Sequence, residues 1–328
     1  MRPTRILQAA LLNPDSDPSS TVETNLENVL KVLDRADSFD PDFVSFPELA
    51  LAKGADGDVP PEELAVTLPG PVTDRVGEKA RELGAYVWVP TYEKAAGTVY
   101  NSVGLVDPDG EFLGQYRKLA PTDGEMDRGI SPGTELPTWD TPFGRVAATI
   151  CWDVRFDEIG VAFGARDVNV LFHPTQGTSY SRLRNWAVYH GYHVPVTWGP
   201  YSKIYTPHGS ELARQDRHAT HPEALGIDLG GGRLRFSFAQ INTDCKSYSR
   251  AGLDFETMDA VQEYYGGDVS LHANYDDATI VLETLAEDLR VEEVEEKFDL
   301  PTVQAYEERV REMVYERAPD SPLTPPNR

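Results

Sequence analysis

The chain has 328 residues, 40% of them hydrophobic, and it carries 54 acidic against 30 basic residues, for a formal net charge of −24. This length and apolar content allow one large domain or two small ones, and the longest apolar runs fall well short of the ~18 residues of a membrane-spanning helix. Because a field of this sign repels phosphate backbones and anionic lipids, we expect neither nucleic acid nor a membrane as a partner.

Apolar and alternating runs predict the elements of the first two thirds of the chain. Strands are expected at 5–13, 42–46, 86–93, 99–106, 111–117, 145–150, 168–173, 194–206, 210–215 and 224–229. Helical spacing predicts helices at 21–36, 72–83 and 180–192. Strands that alternate with helices indicate an α/β fold. The stretch 119–138 has little periodicity, which is typical of functional or disordered loops.

The last third of the chain has a different character. Residues 235–280 look irregular apart from strand-like pieces at 235–241 and 278–283, and from 284 onward the chain is acidic and helical. A second helix is expected at 303–315. We therefore divide the chain into a core domain, 1–235, and a C-terminal extension, 236–328, which is partly helical and acidic and packs on the core or on a partner subunit.

Cysteine usage and the first residues bear on the cellular setting. The chain has two cysteines, Cys151 and Cys245, which are too few for a disulfide framework. Residues 1–14 contain a short apolar run without a small-residue cleavage site, so they read as a first strand and not as a signal peptide. The expected setting is reducing and cytoplasmic.

Cys151 stands where a strand runs into a helix, in the segment ICWDVRF from 150 to 156. The free N–H groups and the dipole of a helix start favour negative charge, so this position is expected to favour the thiolate, which is the nucleophilic form. Taken alone, the segment fits a buried structural cysteine equally well.

Three further polar residues stand at or just beyond predicted strand ends. Glu48 follows the strand at 42–46, Lys118 follows the strand at 111–117, and Glu125 lies shortly after Lys118. Strand ends at one edge of a sheet are where α/β proteins place functional groups. A carboxylate, an ammonium and a thiol in one place are the parts needed for acyl transfer.

Four motifs in this order resemble the nitrilase, or carbon–nitrogen hydrolase, superfamily. They are FPELAL at 46–51, YRKLAPTDGE at 116–125, Pro-Gly at 132–133 and GRVAATICWDVRF at 144–156, and the resemblance spans about residues 5–230. The resemblance implies a four-layer α-β-β-α sandwich, here with a C-terminal extension, and a Glu-Lys-Cys triad that uses no metal and no organic cofactor. It also implies an oligomer, a homodimer or larger, because C-terminal extensions in this family often pack on a neighbouring subunit.

By position in those motifs, the resemblance assigns roles to individual residues. Glu48 matches the general base, Lys118 the oxyanion stabiliser and Cys151 the nucleophile, while Glu125 matches the further glutamate that supports Lys118 and the substrate. The backbone N–H of Trp152 would complete the oxyanion hole, so Trp152 is expected to bind substrate. The implied activity is hydrolysis of a small amide-like substrate through a Cys thioester, with release of ammonia or an amine.

The substrate class stays open among amides, N-carbamoyl amines and nitriles. Cys-Trp-Asp at 151–153 resembles N-carbamoyl-amine amidohydrolases, and Asp-x-Arg-Phe at 153–156 resembles the ω-amidase-like branch. Asp153 argues against nitriles, since nitrile-cleaving members typically carry Glu there. Asp157-Glu158 and the stretch 185–191 depart from the family pattern. Those departures and the acidic tail leave a catalytically idle scaffold or binding protein as the alternative.

Paired histidines give a weak metal signal. His190 and His193 are three residues apart on a predicted helix, and His218 and His221 are three apart in a predicted loop. No cysteine or repeated acidic ligand completes either pair, so we predict no metal site.

Overall fold

The protein is described here by a computed structural model that covers residues 1–12, 20–54, 59–177, 179–198, 201–212, 227–228, 233–274 and 278–323. Parts of the strands expected at 210–215 and 224–229 lie outside these residues, as do His218 and His221. No helix in the ranges that the structure covers is long and apolar enough to cross a lipid bilayer.

The first part of the chain supplies five strands and four helices of the described structure. The strands are β1 (Pro3–Leu12), β2 (Phe43–Ser45), β3 (Tyr86–Ala95), β4 (Thr98–Val106) and β5 (Phe112–Arg117). The helices are α1 (Val22–Ala36), α2 (Pro61–Leu64), α3 (Pro71–Leu83) and α4 (Asp123–Asp127). Thr21 caps α1 through a capping box with Thr24, and Gly84 closes α3 in the left-handed conformation at φ +69°.

The middle of the chain continues the pattern. Its strands are β6 (Trp139–Thr141), β7 (Gly144–Ala148), β8 (Val170–Pro174), β9 (Val194–Thr197), β10 (Lys203–Tyr205), β11 (Glu211–Leu212), β12 (Ile227–Asp228) and β13 (Arg233–Asn242). Its helices are α5 (Asp157–Gly164) and α6 (Tyr180–His190), and a 3₁₀ helix spans Cys151–Arg155.

Two of the three sheets formed by the described strands make the core. One has the strand order β12-β13-β1-β2-β3-β4-β5 and the other the order β11-β10-β9-β8-β7-β6. The pairs β1–β2, β2–β3, β7–β8 and β8–β9 are parallel, as expected for strands joined through helices.

Side-chain alternation along the strands explains the layers. Ile6 in β1 packs in one cluster with Val146 and Phe172 from the second sheet, whereas its neighbour Leu7 packs with Val29 of α1 and Val76 of α3. Successive residues of a strand point to opposite faces, so one face of the sheet meets the other sheet and the other face meets helices. Helices α5 and α6 cover the second sheet, and the predicted four-layer α-β-β-α sandwich is confirmed.

The C-terminal part is more regular than its sequence suggests. It contains β14 (Cys245–Ser249), β15 (Val269–Asn274), β16 (Thr279–Thr284), α7 (Phe255–Tyr265), α8 (Val291–Phe298) and α9 (Val303–Arg317). The strands form a small antiparallel sheet in the order β14-β16-β15, with its own apolar cluster. The expectation of an irregular 235–280 is therefore wrong, and the acidic helix expected from 284 begins at Val291.

The extension is fastened to the core. Strand β13 pairs with β1 along its whole length and so crosses the boundary expected at 235. Just after β13, the buried Asp244 accepts hydrogen bonds from Thr284 Oγ1 at 2.7 Å and Val291 N at 2.9 Å, and these bonds tie the rest of the extension to this strand. On the other side, Gln304 Nε2 of α9 donates to the carbonyl oxygen of His190 at 3.3 Å. The extension thus packs on the core of its own chain.

One predicted strand of the core is divided. The run 194–206 was expected to be a single strand, but it forms β9 and β10, which pair antiparallel with Lys203 opposite Val196 and Tyr205 opposite Val194. The sequence between them contains Gly199-Pro200, a dipeptide typical of turns.

Candidate active site

Four segments bring functional groups to one edge of the stacked sheets. Glu48 follows β2, Lys118 follows β5, Cys151 follows β7 and Gln176 follows β8. Strand β5 is antiparallel to β4, which is antiparallel to β3, so β5 runs in the same direction as β2 and both end at this edge. Glu125, from the short helix α4, lies against Lys118.

The Glu48 carboxylate is almost completely buried, with 4% of the residue exposed. Its Oε1 accepts hydrogen bonds from Lys118 Nζ at 3.0 Å and Asn101 Nδ2 at 2.9 Å, and its Oε2 accepts one from the Gln176 backbone N–H at 3.0 Å. Because Gln176 follows β8 of the second sheet, Glu48 lies between the two sheets of the sandwich.

The Lys118 ammonium lies between two carboxylates. Besides its bond to Glu48, Nζ donates to Glu125 Oε1 at 2.9 Å and Oε2 at 2.7 Å, and the residue is only 1% exposed. Burial opposes the charged form of Lys118, but the negative charges of Glu48 and Glu125 outweigh burial and raise its pKa. Lys118 is therefore a buried lysine whose ammonium group stays charged at neutral pH.

Hydrogen bonds fix both the carboxylate and the backbone N–H of Glu125. Oε2 also accepts the Thr122 N–H at 2.8 Å, and the Glu125 N–H in turn donates to Thr122 Oγ1 at 3.2 Å, a capping box at the start of α4. Burial raises the pKa of Glu125, but the charge and hydrogen bonds of Lys118 more than offset this effect, and the net shift is downward. The loop expected at 119–138 thus contains a short helix that fixes this carboxylate.

Asn101 links the two carboxylates, and the sequence analysis missed it. Its Nδ2 donates to Glu48 Oε1 and to Glu125 Oε1, both at 2.9 Å. An asparagine within the otherwise apolar strand run VYNSVGLV was the signal that could have identified it. Gln176 was also missed, since it directly follows a strand without any motif around it.

Cys151 sits on a sharp turn between β7 and the 3₁₀ helix. Its φ is +46°, a left-handed conformation that is uncommon for any residue other than glycine and costs on the order of 1–3 kcal/mol. The thiol interacts with the Thr175 side chain and the Gln176 backbone. A strained backbone at the end of a strand is typical of positions that present a functional group.

The expectation of a thiolate at Cys151 is not met. Burial and the negative charge of Glu48 raise the pKa of the Cys151 thiol to about 12, against the opposing effects of Lys118, Thr175 and Gln176. The helix that starts at Cys151 is a 3₁₀ helix of five residues, Cys151–Arg155, and not a full α-helix. The resting cysteine is therefore a thiol and needs a base to become a nucleophile.

The side chain of Trp152 lies at the protein surface. It is 43% exposed, and the Arg155 guanidinium carbon lies 5.3 Å from the centroid of its ring. The role expected for Trp152 rests on its backbone N–H, beside Cys151, and stays a prediction.

Asp153 turns inward and its two oxygens are occupied by the protein itself. Oδ2 accepts from the Tyr116 hydroxyl at 2.7 Å and the Ile150 N–H at 2.8 Å, while Oδ1 accepts from the Ala120 N–H at 2.8 Å. Complete burial raises the pKa of this carboxyl to about 6, despite the lowering effect of these donors and of Lys118. Asp153 can therefore influence substrate choice only through the backbone that it holds.

Of the two histidine pairs, the structure describes His190 and His193, and both make contacts within the protein. His193 Nε2 lies 2.9 Å from the Asn242 carbonyl oxygen and 3.4 Å from Cys245 Sγ. Burial lowers the pKa values of both His190 and His193 to about 4, so both rings are neutral at pH 7. No group of three or more His, Cys, Asp or Glu side chains that could hold a metal ion occurs in the ranges covered by the structure.

Comparison with known proteins bears on the family of this chain. The family model described as carbon-nitrogen hydrolase matches residues 7–202. The chain is 33% identical over 114 residues to the bifunctional nitrilase/nitrile hydratase NIT4A of Nicotiana tabacum, covering 34% of this chain and 32% of that protein. It is 31% identical over 182 residues to the omega-amidase NIT2 of Homo sapiens, covering 46% of this chain and 65% of that protein. The chain thus spans less than two thirds of either relative.

A solved structure shares the fold. The crystal structure of an amidase from Nesterenkonia sp. matches with a TM-score of 0.58 and 19% sequence identity, covering 74% of this chain and 91% of that chain. At this identity the likeness bears on the fold alone. The resemblance predicted from the four sequence motifs is confirmed.

Proposed function

This chain belongs to the carbon–nitrogen hydrolase family, and we propose that it is a thiol hydrolase that cleaves an amide or an N-carbamoyl amine through a thioester on Cys151. The observation that carries the proposal is the Lys118 ammonium, 3.0 Å from Glu48 and 2.7 Å from Glu125, at the edge of the sheets where Cys151 follows β7. A base, a fixed cation and a nucleophile in one buried place are what acyl transfer requires.

In the first step, Glu48 removes the proton from Cys151 as the sulfur attacks the carbonyl carbon. Because burial and the Glu48 charge raise the pKa of the resting thiol to about 12, we propose that this transfer accompanies the attack. The C–S bond forms while the carbonyl electron pair moves to oxygen. Lys118 and the Trp152 N–H are proposed to donate to that oxygen.

Collapse of this intermediate breaks the C–N bond and leaves a thioester on Cys151. Glu48 gives its proton to the departing nitrogen, which leaves as ammonia or an amine. Water then attacks the thioester while Glu48 accepts its proton. A second collapse breaks the C–S bond and releases the acid, and Glu48 returns its proton to the sulfur to restore the thiol. These steps use side chains and one backbone N–H of the protein, without metal or organic cofactor.

Glu125 is proposed to hold Lys118 in place. The ammonium carries one positive charge against two carboxylates, so it stays charged when Glu48 becomes protonated during the reaction. The Thr122 capping box and Asn101 also bind the Glu125 carboxylate, and so hold it in place for Lys118.

Ammonia release from a panel of small amides, N-carbamoyl amines and nitriles tests this proposal. We expect turnover of at least one amide or N-carbamoyl amine. Turnover of nitriles alone would favour the second candidate, a nitrilase, which the match to NIT4A of Nicotiana tabacum supports. Folded protein that releases ammonia from none of them would favour an idle scaffold.

Replacing Lys118 by methionine should slow turnover through loss of the oxyanion donor. Loss of one such donor typically costs about 3 kcal/mol of barrier, or on the order of 10²-fold in kcat. The measurement is kcat on an amide turned over by the wild type. Since the change also leaves two buried carboxylates unpaired, thermal unfolding must first show a folded variant.

Lys246→Met is the matched control for that variant. Lys246 is a largely buried lysine of the extension that pairs with Glu295 at 2.8 Å. It should lose stability in the same way while kcat is retained. Equal losses of kcat in both variants would show that Lys118 acts on stability only.

We propose a homodimer or larger assembly that forms when salt screens the charge. The net charge of −24 opposes association at low ionic strength, whereas the Debye length falls to about 3 Å at 1 M salt. Phe156, Val161 and Tyr189, on and beside α5 and α6, are exposed apolar side chains suited to an interface. Light scattering across a salt series should show association, and a monomer at every salt concentration would contradict the proposal.

The division into a core, 1–235, and an extension, 236–328, is retained as a proposal, with β13 as the strand that joins them. Two cysteines without a disulfide also support a reducing, cytoplasmic setting.

A further inference from the structure

The three groups that donate hydrogen bonds to Asp153 belong to residues close in sequence to two proposed catalytic residues, Lys118 and Cys151. Tyr116 lies two positions before Lys118 and Ala120 two positions after it, while Ile150 directly precedes Cys151. The buried Asp153 carboxylate therefore binds the chain on both sides of Lys118 and at the start of the turn that carries Cys151.

We propose that Asp153 is a positioning residue that fixes the Lys118 ammonium relative to the Cys151 thiol. The inference rests on the proposed function and deepens it, because it adds a residue that touches neither substrate nor reacting atoms. It gives Asp153 a structural role beside the interpretation of this residue as a marker of substrate class.

The other hydrogen bonds that Lys118 itself makes are with residues of the first sheet and the segments that follow it, and Glu48 extends them to the second sheet by accepting the Gln176 N–H after β8. The Lys118 backbone N–H donates to the Asn101 carbonyl at 2.9 Å, and its carbonyl accepts from the Gly133 N–H at 2.8 Å. Its ammonium binds Glu48 and Glu125, which follow β2 and β5 of the first sheet. Cys151, by contrast, follows β7 of the second sheet.

Asp153 connects the turn after β7 of the second sheet directly to the end of β5 in the first sheet. It belongs to the turn after β7, and two of its three donors flank Lys118 at the end of β5. Tyr116 is fully buried, so its hydroxyl has no water to replace the carboxylate. Loss of either partner leaves buried polar groups unpaired and lets the two sheet edges shift.

A positioning role and a simple charge effect predict opposite results. If Asp153 acted only through its negative charge, neutralising it would ease ionisation of the Cys151 thiol. If it holds Lys118 near the thiol, the same change moves a stabilising cation away and makes ionisation harder. The charged groups that face the thiol are Glu48, which raises its pKa, and Lys118, which lowers it.

Alkylation by methyl iodide, which has no carboxamide or nitrile group to be hydrolysed, measures the reactivity of the Cys151 thiol without any knowledge of the substrate. The Cys151 sulfur forms a C–S bond, the C–I bond breaks and iodide leaves, at a rate that follows the thiolate fraction. Peptide mass separates Cys151 from Cys245, which is buried. The variants are Asp153→Asn, which keeps the shape and removes the charge, and Tyr116→Phe, which keeps the charge and removes one bond.

The matched control is Tyr248→Phe in the extension. Tyr248 is also fully buried, and its hydroxyl also donates to a carboxylate, Glu295 Oε1, at 3.0 Å. It removes the same kind of bond far along the chain from the site. It should lower the unfolding temperature as Tyr116→Phe does and leave the alkylation rate unchanged.

We expect both Asp153→Asn and Tyr116→Phe to slow alkylation of Cys151 at pH 8 by about tenfold, which corresponds to a rise of one unit in the thiol pKa. The rate profile from pH 7 to 10 should move to higher pH in both. Where an amide is turned over, kcat should fall with KM nearly unchanged, since misplacing a catalytic group by ~1 Å can cost about 10²-fold.

An unchanged or faster alkylation in either folded variant overturns the positioning role. Should Asp153→Asn fail to fold, Tyr116→Phe decides alone. Because the probe is not a substrate, the outcome stands apart from the proposed function, which fails instead if no amide, N-carbamoyl amine or nitrile is hydrolysed.

Discussion

Cys151→Ala should abolish ammonia release from any amide that the wild type hydrolyses. The change removes the only proposed nucleophile while the ion pairs of Glu48, Lys118 and Glu125 stay intact. Substrate binding should persist, because the carboxylates and the ammonium are unchanged. The measurements are kcat by ammonia release and intact-protein mass after incubation with substrate, which should show no covalent adduct.

Cys151→Ser should be nearly as inactive. A serine hydroxyl stays protonated far above neutral pH, so Glu48 faces a harder proton transfer than from the thiol. Cys245→Ala is the matched control, since Cys245 is a buried cysteine of the extension that contacts His193 and lies outside the proposed site. It should keep the wild-type kcat. Wild-type ammonia release by Cys151→Ala would reject a Cys-dependent hydrolase.

The sequence predicts the members of the site better than their electrostatics. Glu48 and Lys118 are 70 residues apart, and only the motif around each one signals that they meet. The state of the Cys151 thiol depends on burial and on the nearby Glu48 charge, which no local pattern encodes. A prediction from the helix start alone therefore had the wrong sign.

Residues that support the site were harder to predict than those that resemble a motif. Asn101 and Gln176 each bind Glu48 through groups that any strand or loop can offer, a side-chain amide and a backbone N–H. Asp153 was noticed, but its sequence position beside Cys151 suggested a role toward substrate. Its actual partners, Tyr116 and Ala120, become its neighbours only when the two sheets stack.

The core strands were predictable because both of their faces are buried. In the extension the signal is weaker: among the side chains of α7, only Val261 is buried. Of β15, only Val269 is buried, while the partner β16 is apolar and was expected. Elements that bury a single residue leave no periodicity in the sequence, and they are formed by tertiary contacts.

Glu48→Gln should convert the enzyme into one that accumulates a thioester. Glutamine keeps the size of the side chain but cannot accept a proton, so both the attack by Cys151 and the attack by water lose their base. General base catalysis contributes about 10²–10⁴-fold, and kcat should fall by that order. Water is a weaker nucleophile than sulfur, so deacylation should suffer more than acylation. Intact-protein mass should then rise by the acyl group of the substrate.

Glu93→Gln is the matched control for Glu48→Gln. Glu93 is an equally buried glutamate that binds an arginine, Arg117, at 2.5 Å, and it also accepts from Ser102 Oγ at 2.7 Å. Its loss should lower thermal stability, because it weakens the pair with the partly exposed Arg117 guanidinium, without any adduct. If Glu48→Gln turns over amides at the wild-type rate, or if its adduct maps to a residue other than Cys151, then Glu48 is not the base that serves both steps.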